Sequence, residues 1–582
     1  MSSFFDFVSD ITTTLSTITK ITLVSGLVLI FILPGMNSIP PLDRDEARFS
    51  QASKQMLEDK NYVVIKFQEE LRSKKPIGIY WLQATSAYFF GEENILSYRI
   101  PNIIASILLI SIFGIFVYRV SFNFLDQSIS SSMTFGLFSA LVLSTLLGFS
   151  VEIRQAKTDT VLLMLCTIQQ LLLWKIYSYG KDQWNQYKHH ELVWTVRFLW
   201  IIIAFAVLIK GPISPLLFML TLLGLCILDR ISEQKWNLSW LSLLLWFQGI
   251  LIIITICLPW FYLAWQSTDG ALILDAINKD FLGKIKSSQE NHWGPFGSHF
   301  ILLFFTFWPM VLFIPYAGRA FIDWKHHRFI KFLISWVIPF WFILELVPTK
   351  LPHYILPTFP GIILLIFIGI SSPPSGNRVL HLASQIYRAL VIIFTIILSI
   401  ALLYITVIFS SSKLLIFSGF VLCCALLTST LSGNLFFLNR CRNKIAPLFA
   451  MLIFAGISNA ILFSIIIPNL DRIHISPKIV KYINELDKKP DTIVATGYHE
   501  PSLVFSLGRD TLLLNPEEAA LVVAEGENTI AIVEQRVLKT FLITLNNLGK
   551  EVEEIVSFSG INLAKGQKTL ISLYKPRQKN SQ

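Results

Sequence analysis

Three carboxylates and two guanidinium groups stand within six residues of each other, in the run Asp43-Arg44-Asp45-Glu46-Ala47-Arg48. An ionised carboxylate can take a proton from a hydroxyl, and an arginine beside it can hold an anion through two parallel hydrogen bonds. If Asp45 opens a helix, Arg48 lies one turn on and on the same face. That geometry makes Asp45 a candidate general base and Arg48 a candidate phosphate contact, with Asp43 and Glu46 beside them in a cavity. A plainer reading of the same run is a capped interfacial helix whose charges are solvated.

Four further polar segments carry residues of the same kind. Lys74-Lys75-Pro76 precedes Ile77–Leu82, an amphipathic stretch with Tyr80 and Trp81. Aromatic residues of this sort anchor at headgroup depth, and lysines there meet lipid phosphate. Lys75 is read as a specific phosphate contact, and Lys74 and Tyr80 as cavity wall. Glu152-Ile153-Arg154-Gln155-Ala156-Lys157-Thr158-Asp159 joins two apolar runs. Asp159 is its candidate catalytic carboxylate, and Arg154 and Lys157 are candidate phosphate cations, unless these charges merely pair locally. Pro348-Thr349-Lys350-Leu351-Pro352-His353-Tyr354 adds Lys350 as a phosphate contact and Tyr354 as a cavity residue. Glu290, His292 and His353 together would be a donor set for a divalent metal if they converge. Each histidine alone reads equally as a hydrogen-bonded structural residue. His499-Glu500 reads as a turn or as a lid over the cavity.

These segments need elements to hold them, and the composition says which. Across 582 residues, 53% are hydrophobic and 15% charged, with a mean hydropathy of +0.60. Such a chain belongs to the multi-spanning membrane class. The formal charge of +10 suits basic loops against anionic lipid, and no basic helix stands apart from the apolar runs to bind nucleic acid. A span needs about 20 apolar residues. By that measure, about 13 transmembrane helices are expected between Ile21 and Ile467. Alternate loops rich in lysine and arginine, such as Arg319 to Lys331 and Arg440 to Lys444, are assigned to the cytoplasm. All five polar segments then fall on the opposite, periplasmic face of a bacterial inner (plasma) membrane.

Residues 1–468 are read as the transmembrane domain, including a periplasmic loop over 37–97. Residues 469–582 are read as a periplasmic α/β domain, with strands near Thr492–Gly497, Thr529–Glu534, Val552–Phe558 and Thr569–Tyr574. The six cysteines fall in apolar runs or a basic turn, which excludes a disulfide framework and a CxxC metal site. Neither GxxxxGK[ST] nor a strand followed by GxGxxG occurs, so no nucleotide-binding domain is expected.

Taken together, PLDRDEARF, KKPIGIYWLQ, EIRQAKTD, QENHWGPF, PTKLPHYILP and GYHEPSLVF resemble the polyprenyl-phosphate-dependent glycosyltransferases of the GT-C fold. The likeness is to the aminoarabinose-transferase-like family, related to protein O-mannosyltransferases. It implies transfer, with inversion, of a sugar from an undecaprenyl-type phosphate carrier to lipid A, a lipopolysaccharide core or another acceptor such as a protein. It also implies Asp45 as the catalytic aspartate, Arg48 and Lys75 as phosphate cations and Asp159 as a second cavity carboxylate. His292 and His353 match histidines that join a glutamate on a metal in that family. A divalent ion is thus the one cofactor the resemblance raises, and at the glutamate position this chain departs from the family with Lys74. The competing reading is a lipid-linked-sugar flippase or other transporter. Such proteins place ionisable residues mid-span or show paired repeats, whereas here they gather in loops on one face.

Overall fold

The computed structural model describes residues 17–43, 45–124, 129–180, 189–283, 293–322, 325, 327–371, 378–409, 412–437, 445–562 and 566–577. Among them, ten helices are long and apolar enough to cross a membrane, or up to twelve if each of two bent pairs is one span. The bent pairs are Ser132–Thr145 with Leu147–Ile153, at 67°, and Ser298–Thr306 with Met310–Ala320, at 119°. A shorter apolar helix, Ile18–Ile32, precedes them.

The helices divide by what surrounds them. Asp159–Gly180 and Pro352–Ser371 have 78% of their apolar window buried inside the protein, whereas Ser239–Ser267 and Arg378–Phe409 have 17% and 22%. The latter are little covered by the rest of the protein, and exposed apolar side chains such as Ile250, Leu251, Ile393 and Ile397 suit a lipid-facing surface. The inner helices are held on every side by packed neighbours. Asp159 and His353 sit at the ends of two of these inner helices.

The first polar loop is folded. The first apolar helix ends at Ile32, just before Pro34 and Gly35, and after a turn a helix runs Asp45–Glu58 with both acids of its first turn, Asp45 and Glu46, at the favourable end of the helix dipole. A short hairpin follows, β1 (Lys66–Phe67) antiparallel to β2 (Glu70–Leu71), and then the aromatic helix Gly78–Phe90. That helix buries Ile79, Tyr80 and Ala84 and exposes Trp81, Tyr88, Phe89 and Phe90. One apolar face on protein and one aromatic face outward is the arrangement expected at a membrane surface.

After Leu470 comes a five-stranded mixed sheet with helices packed on it. Its strands are β3 (Thr492–Thr496), β4 (Leu512–Leu513), β5 (Thr529–Glu534), β6 (Val552–Asn562) and β7 (Gln567–Pro576), in the spatial order β4-β3-β5-β7-β6. β3 pairs parallel with β4 and β5, while β7 runs antiparallel to β5 and β6. The expected strands are all present. Sequence reading missed β4 and the helix Pro516–Glu525, although Asn515 caps that helix by accepting from the Glu518 N–H. This unit docks on the first loop through the short helix Pro501–Leu507. Phe505 sits edge-on to Tyr98 at 5.4 Å, with the Lys54 ammonium 5.7 Å above its ring. Gln68 donates to the carbonyls of Arg509 (2.9 Å) and Thr511 (2.7 Å), and Arg509 pairs with Asp59.

Candidate active site

Adjacent residues at the start of the Asp45–Glu58 helix take opposite environments. The Glu46 carboxylate is sealed and fully engaged. Its Oε1 accepts from Arg99 Nε and from the Ala156 N–H, both at 2.8 Å. Its Oε2 accepts from Arg99 Nη2 and the Leu42 N–H, both at 2.9 Å. Arg99 Nη1 donates at 2.8 Å to the carbonyls of Met36 and Ile39. This knot ties the first loop, the helix Ile95–Phe124 and the turn at 154–158 together. Gln83 adds a second tie, donating to the Ala156 carbonyl at 2.9 Å.

Asp45, one residue earlier, is open, with its side chain 54% exposed. It lies in a recess whose partial burial would raise its pKa. The positive charges of Arg72, Lys157, Lys74 and Lys75 outweigh that and hold the carboxyl below its usual value. Four cations from two separate segments thus act on one anion. Lys157 is itself paired with Glu152 at 3.1 Å, and Glu152 and Asp159 keep it firmly protonated against the effect of its burial.

Beyond Lys157 is a second group. His353 Nδ1 lies 3.6 Å from Glu152 Oε1, and His353 Nε2 lies 3.6 Å from Asp159 Oδ1. Lys210 hydrogen-bonds Asp159, and its ammonium is 5.7 Å from the Tyr354 ring. Three of the segments expected to share one face therefore meet, the first loop, the turn at 152–159 and the segment at 352–354, and the end of the helix at Lys210 joins them. Lys210, at the end of an apolar run, had no assigned role in the sequence reading, and neither did Arg72 or Arg99. A cation closing an apolar run just before Gly-Pro was the available signal for Lys210.

The remaining expected site residues divide between this neighbourhood and others. Arg154 is 1% exposed and donates to the carbonyls of Pro34 (2.7 Å), Ser150 (2.6 Å) and Phe31 (2.8 Å). Lys350 donates to the carbonyls of Leu344 (3.0 Å) and Glu345 (2.6 Å). Both cations tie backbone together and have little left for an outside anion. Tyr80 is wholly enclosed, its hydroxyl accepting from Arg72 Nε at 3.1 Å. Asp43 faces the C-terminal unit and accepts from the Ser502 N–H at 3.3 Å. Arg48 is half-buried one turn from Asp45. Glu500 accepts from Asn562 at 2.8 Å and, in extended conformation, begins the docking helix, while His499 Nε2 lies 3.0 Å from the Leu514 carbonyl oxygen. Glu290 and His292 lie outside the described residues.

A metal implied by the resemblance was expected on His353, His292 and a carboxylate. Among the described residues, one group has the donors for it: Glu152, Asp159 and His353, whose ligand atoms lie within 4.8 Å of each other. Each carboxylate there is already neutralised by a lysine, Lys157 on Glu152 and Lys210 on Asp159. A divalent ion would have to displace both ammonium groups or sit against them, so these residues as arranged do not fit one.

The architecture is a GT-C-type helical bundle carrying a C-terminal sheet unit. It superposes on crystal structures of ArnT from Cupriavidus metallidurans. The undecaprenyl-phosphate-bound form matches with a TM-score of 0.68 at 14% identity over 96% of this chain and 98% of that one. The apo form matches at 0.67, with 14% identity over 95% and 97%. In sequence, the chain is similar to the undecaprenyl phosphate-alpha-4-amino-4-deoxy-L-arabinose arabinosyl transferase of Wigglesworthia glossinidia brevipalpis, at 24% identity over 60% of this chain and 58% of the relative. The enzyme of the same name from Yersinia pestis is 24% identical over 58% of this chain and 56% of its own length. The chain thus spans about three fifths of the length of the curated relatives it matches. No family model matches it.

Proposed function

We propose that this protein is an inverting glycosyltransferase that takes a sugar from an undecaprenyl-type phosphate carrier and passes it to lipid A, a lipopolysaccharide core or another acceptor at the periplasmic face. The observation that carries this reading is the open Asp45 carboxylate, 4.0 Å from Arg72 and under the positive charge of Lys157, Lys74 and Lys75, at the end of a bundle with the ArnT fold. A lipid-linked sugar phosphate needs little acid assistance, since phosphate is already a good leaving group. Cations around it stabilise the charge that grows on its oxygens as the bond to the anomeric carbon breaks. Lys75, Arg48 and Lys157 are assigned to that task. Lysine suits a phosphate as a point charge, and arginine as a bidentate fork.

On the opposite side of the anomeric carbon, the acceptor oxygen attacks and Asp45 takes its proton. The phosphate leaves with the electron pair of the broken bond. If the acceptor oxygen belongs to a phosphate, Asp45 has no proton to take and positions the acceptor instead. Asp159, held by Lys210 and beside His353, lines the same cavity together with Lys74 and Tyr354. Glu46, Arg154 and Lys350 act behind the surface by holding backbone in place. No step is assigned to a metal.

The test is mass spectrometry of lipid A and core from cells with and without the gene. Loss of one sugar on deletion is expected, with no rescue by Asp45→Asn at equal protein level. Full rescue would remove Asp45 from its role. An unchanged glycan profile would shift the reading to a transporter or a different acceptor.

A further inference from the structure

Arg72 has no role assigned from its motif, yet among the described residues its guanidinium pairs with Asp45, at 4.0 Å. Three contacts fix it. Its Nε donates to the buried Tyr80 hydroxyl at 3.1 Å, its guanidinium lies 4.8 Å over the Phe49 ring, and its backbone N–H closes the hairpin by donating to the Ile65 carbonyl at 2.9 Å. Phe49 and Tyr80 themselves pack ring to ring at 5.4 Å. Held this way, the side chain is 6% exposed, and its Nη2 comes to 4.0 Å from Asp45 Oδ1. That nitrogen is buried and, among the described residues, has no hydrogen-bond partner. A buried guanidinium N–H without an acceptor is costly, and the acceptor within reach of a small side-chain movement is Asp45. Tyr80 and Phe49 form the shelf, Arg72 rests on it, and Asp45 stands in front with its other oxygen left for the recess.

We propose that Arg72 is the positioning residue for Asp45: it closes onto one carboxylate oxygen as substrate enters and aims the other at the acceptor. This rests on the assignment of Asp45 above. It gives a physical role to the hairpin β1–β2, whose closing residue is Arg72. Arg72 acts through the carboxylate and does not touch the lipid-linked donor.

The test uses the full-length protein in detergent or vesicles with its lipid-linked sugar donor, comparing Arg72→Ala, Arg72→Lys and Asp45→Asn. Arg72→Ala is expected to lower kcat by about 100-fold, the scale of a misplaced catalytic group, with KM for the donor within about twofold of wild type, since the donor's binding cations remain. Arg72→Lys should recover part of the rate, and guanidinium ion at millimolar concentration should raise the rate of Arg72→Ala but not that of Asp45→Asn. If Arg72→Ala does not fold, Tyr80→Phe takes its place: it removes the hydroxyl that fixes Nε and should lower kcat by several-fold in the same pattern. A KM that rises while kcat holds, or an unchanged kcat in folded Arg72→Ala or Tyr80→Phe, overturns the proposal. Full activity in Asp45→Asn overturns the reading of Asp45 itself, which separates the two failures.

Discussion

Two neighbouring acids in one helix turn have been put to opposite uses. At the Glu46–Arg99 knot, both side chains are fully buried and the carboxylate accepts four hydrogen bonds. At the Asp45 recess, the carboxylate is 54% exposed and its arginine stands 4.0 Å away. The residue types are the same, an acid and an arginine. The difference lies in what remains for an outside molecule. A saturated buried pair can only hold structure, because any ligand would have to break it at the full desolvation cost of both charges. An open carboxylate among surplus cations can bind and react.

The comparison breaks most sharply at Arg99. Arg99→Ala leaves Glu46 buried without its partner, and about 3–5 kcal/mol of stability is expected to go with it. Thermal unfolding in detergent and the yield of folded protein measure this. Asp45→Asn, one residue away, should unfold at close to the wild-type temperature. If Arg99→Ala proved as stable as wild type, the division between knot and recess would be wrong.

A smaller effect is expected on the open side. Lys75→Ala should weaken binding of undecaprenyl phosphate by about 10-fold, the scale of one hydrogen bond to a charged group, and the remaining affinity should fall with added salt. Arg154→Lys and Lys350→Arg, at cations already tied to carbonyls, serve as controls that should leave this affinity unaltered.

The smallest effect concerns Asp43, at the edge between the recess and the C-terminal unit. Burial, and then the nearby charge of Glu500, raise its pKa to about 7. Its carboxyl therefore holds a proton more tightly when docked than when free. Docking is expected to be firmest below about pH 4, the value of a free aspartate, and to loosen as pH rises toward about 7. Limited proteolysis between the bundle and the sheet unit across that range should show it. Asp43→Asn should dock equally at all pH values, because an amide oxygen still accepts from the Ser502 N–H. A wild-type cleavage rate that is flat with pH would discard Asp43 as the cause.

Much of this was legible in the chain. Runs of Ile, Leu, Phe and Val long enough for a bilayer identify membrane helices, because lipid offers no partner for a bare backbone. Alternation and turn residues marked the strands of the C-terminal unit. Charged motifs between the apolar runs marked segments that the fold brings together. Sequence could not say which member of each motif faces outward. Asp45 and Glu46 are adjacent acids, and Arg154 and Lys157 are near-adjacent cations. Only their long-range partners separate them: Arg99 from another helix for Glu46, and the carbonyls of Phe31 and Pro34 for Arg154. Those partners lie tens of residues away or more, and no local spacing encodes them. Hydropathy and motif thus placed the charges at one end of a bundle, and tertiary packing decided which were saturated and which stayed open, because burial and hydrogen-bond satisfaction are properties of the folded neighbourhood and not of the residue.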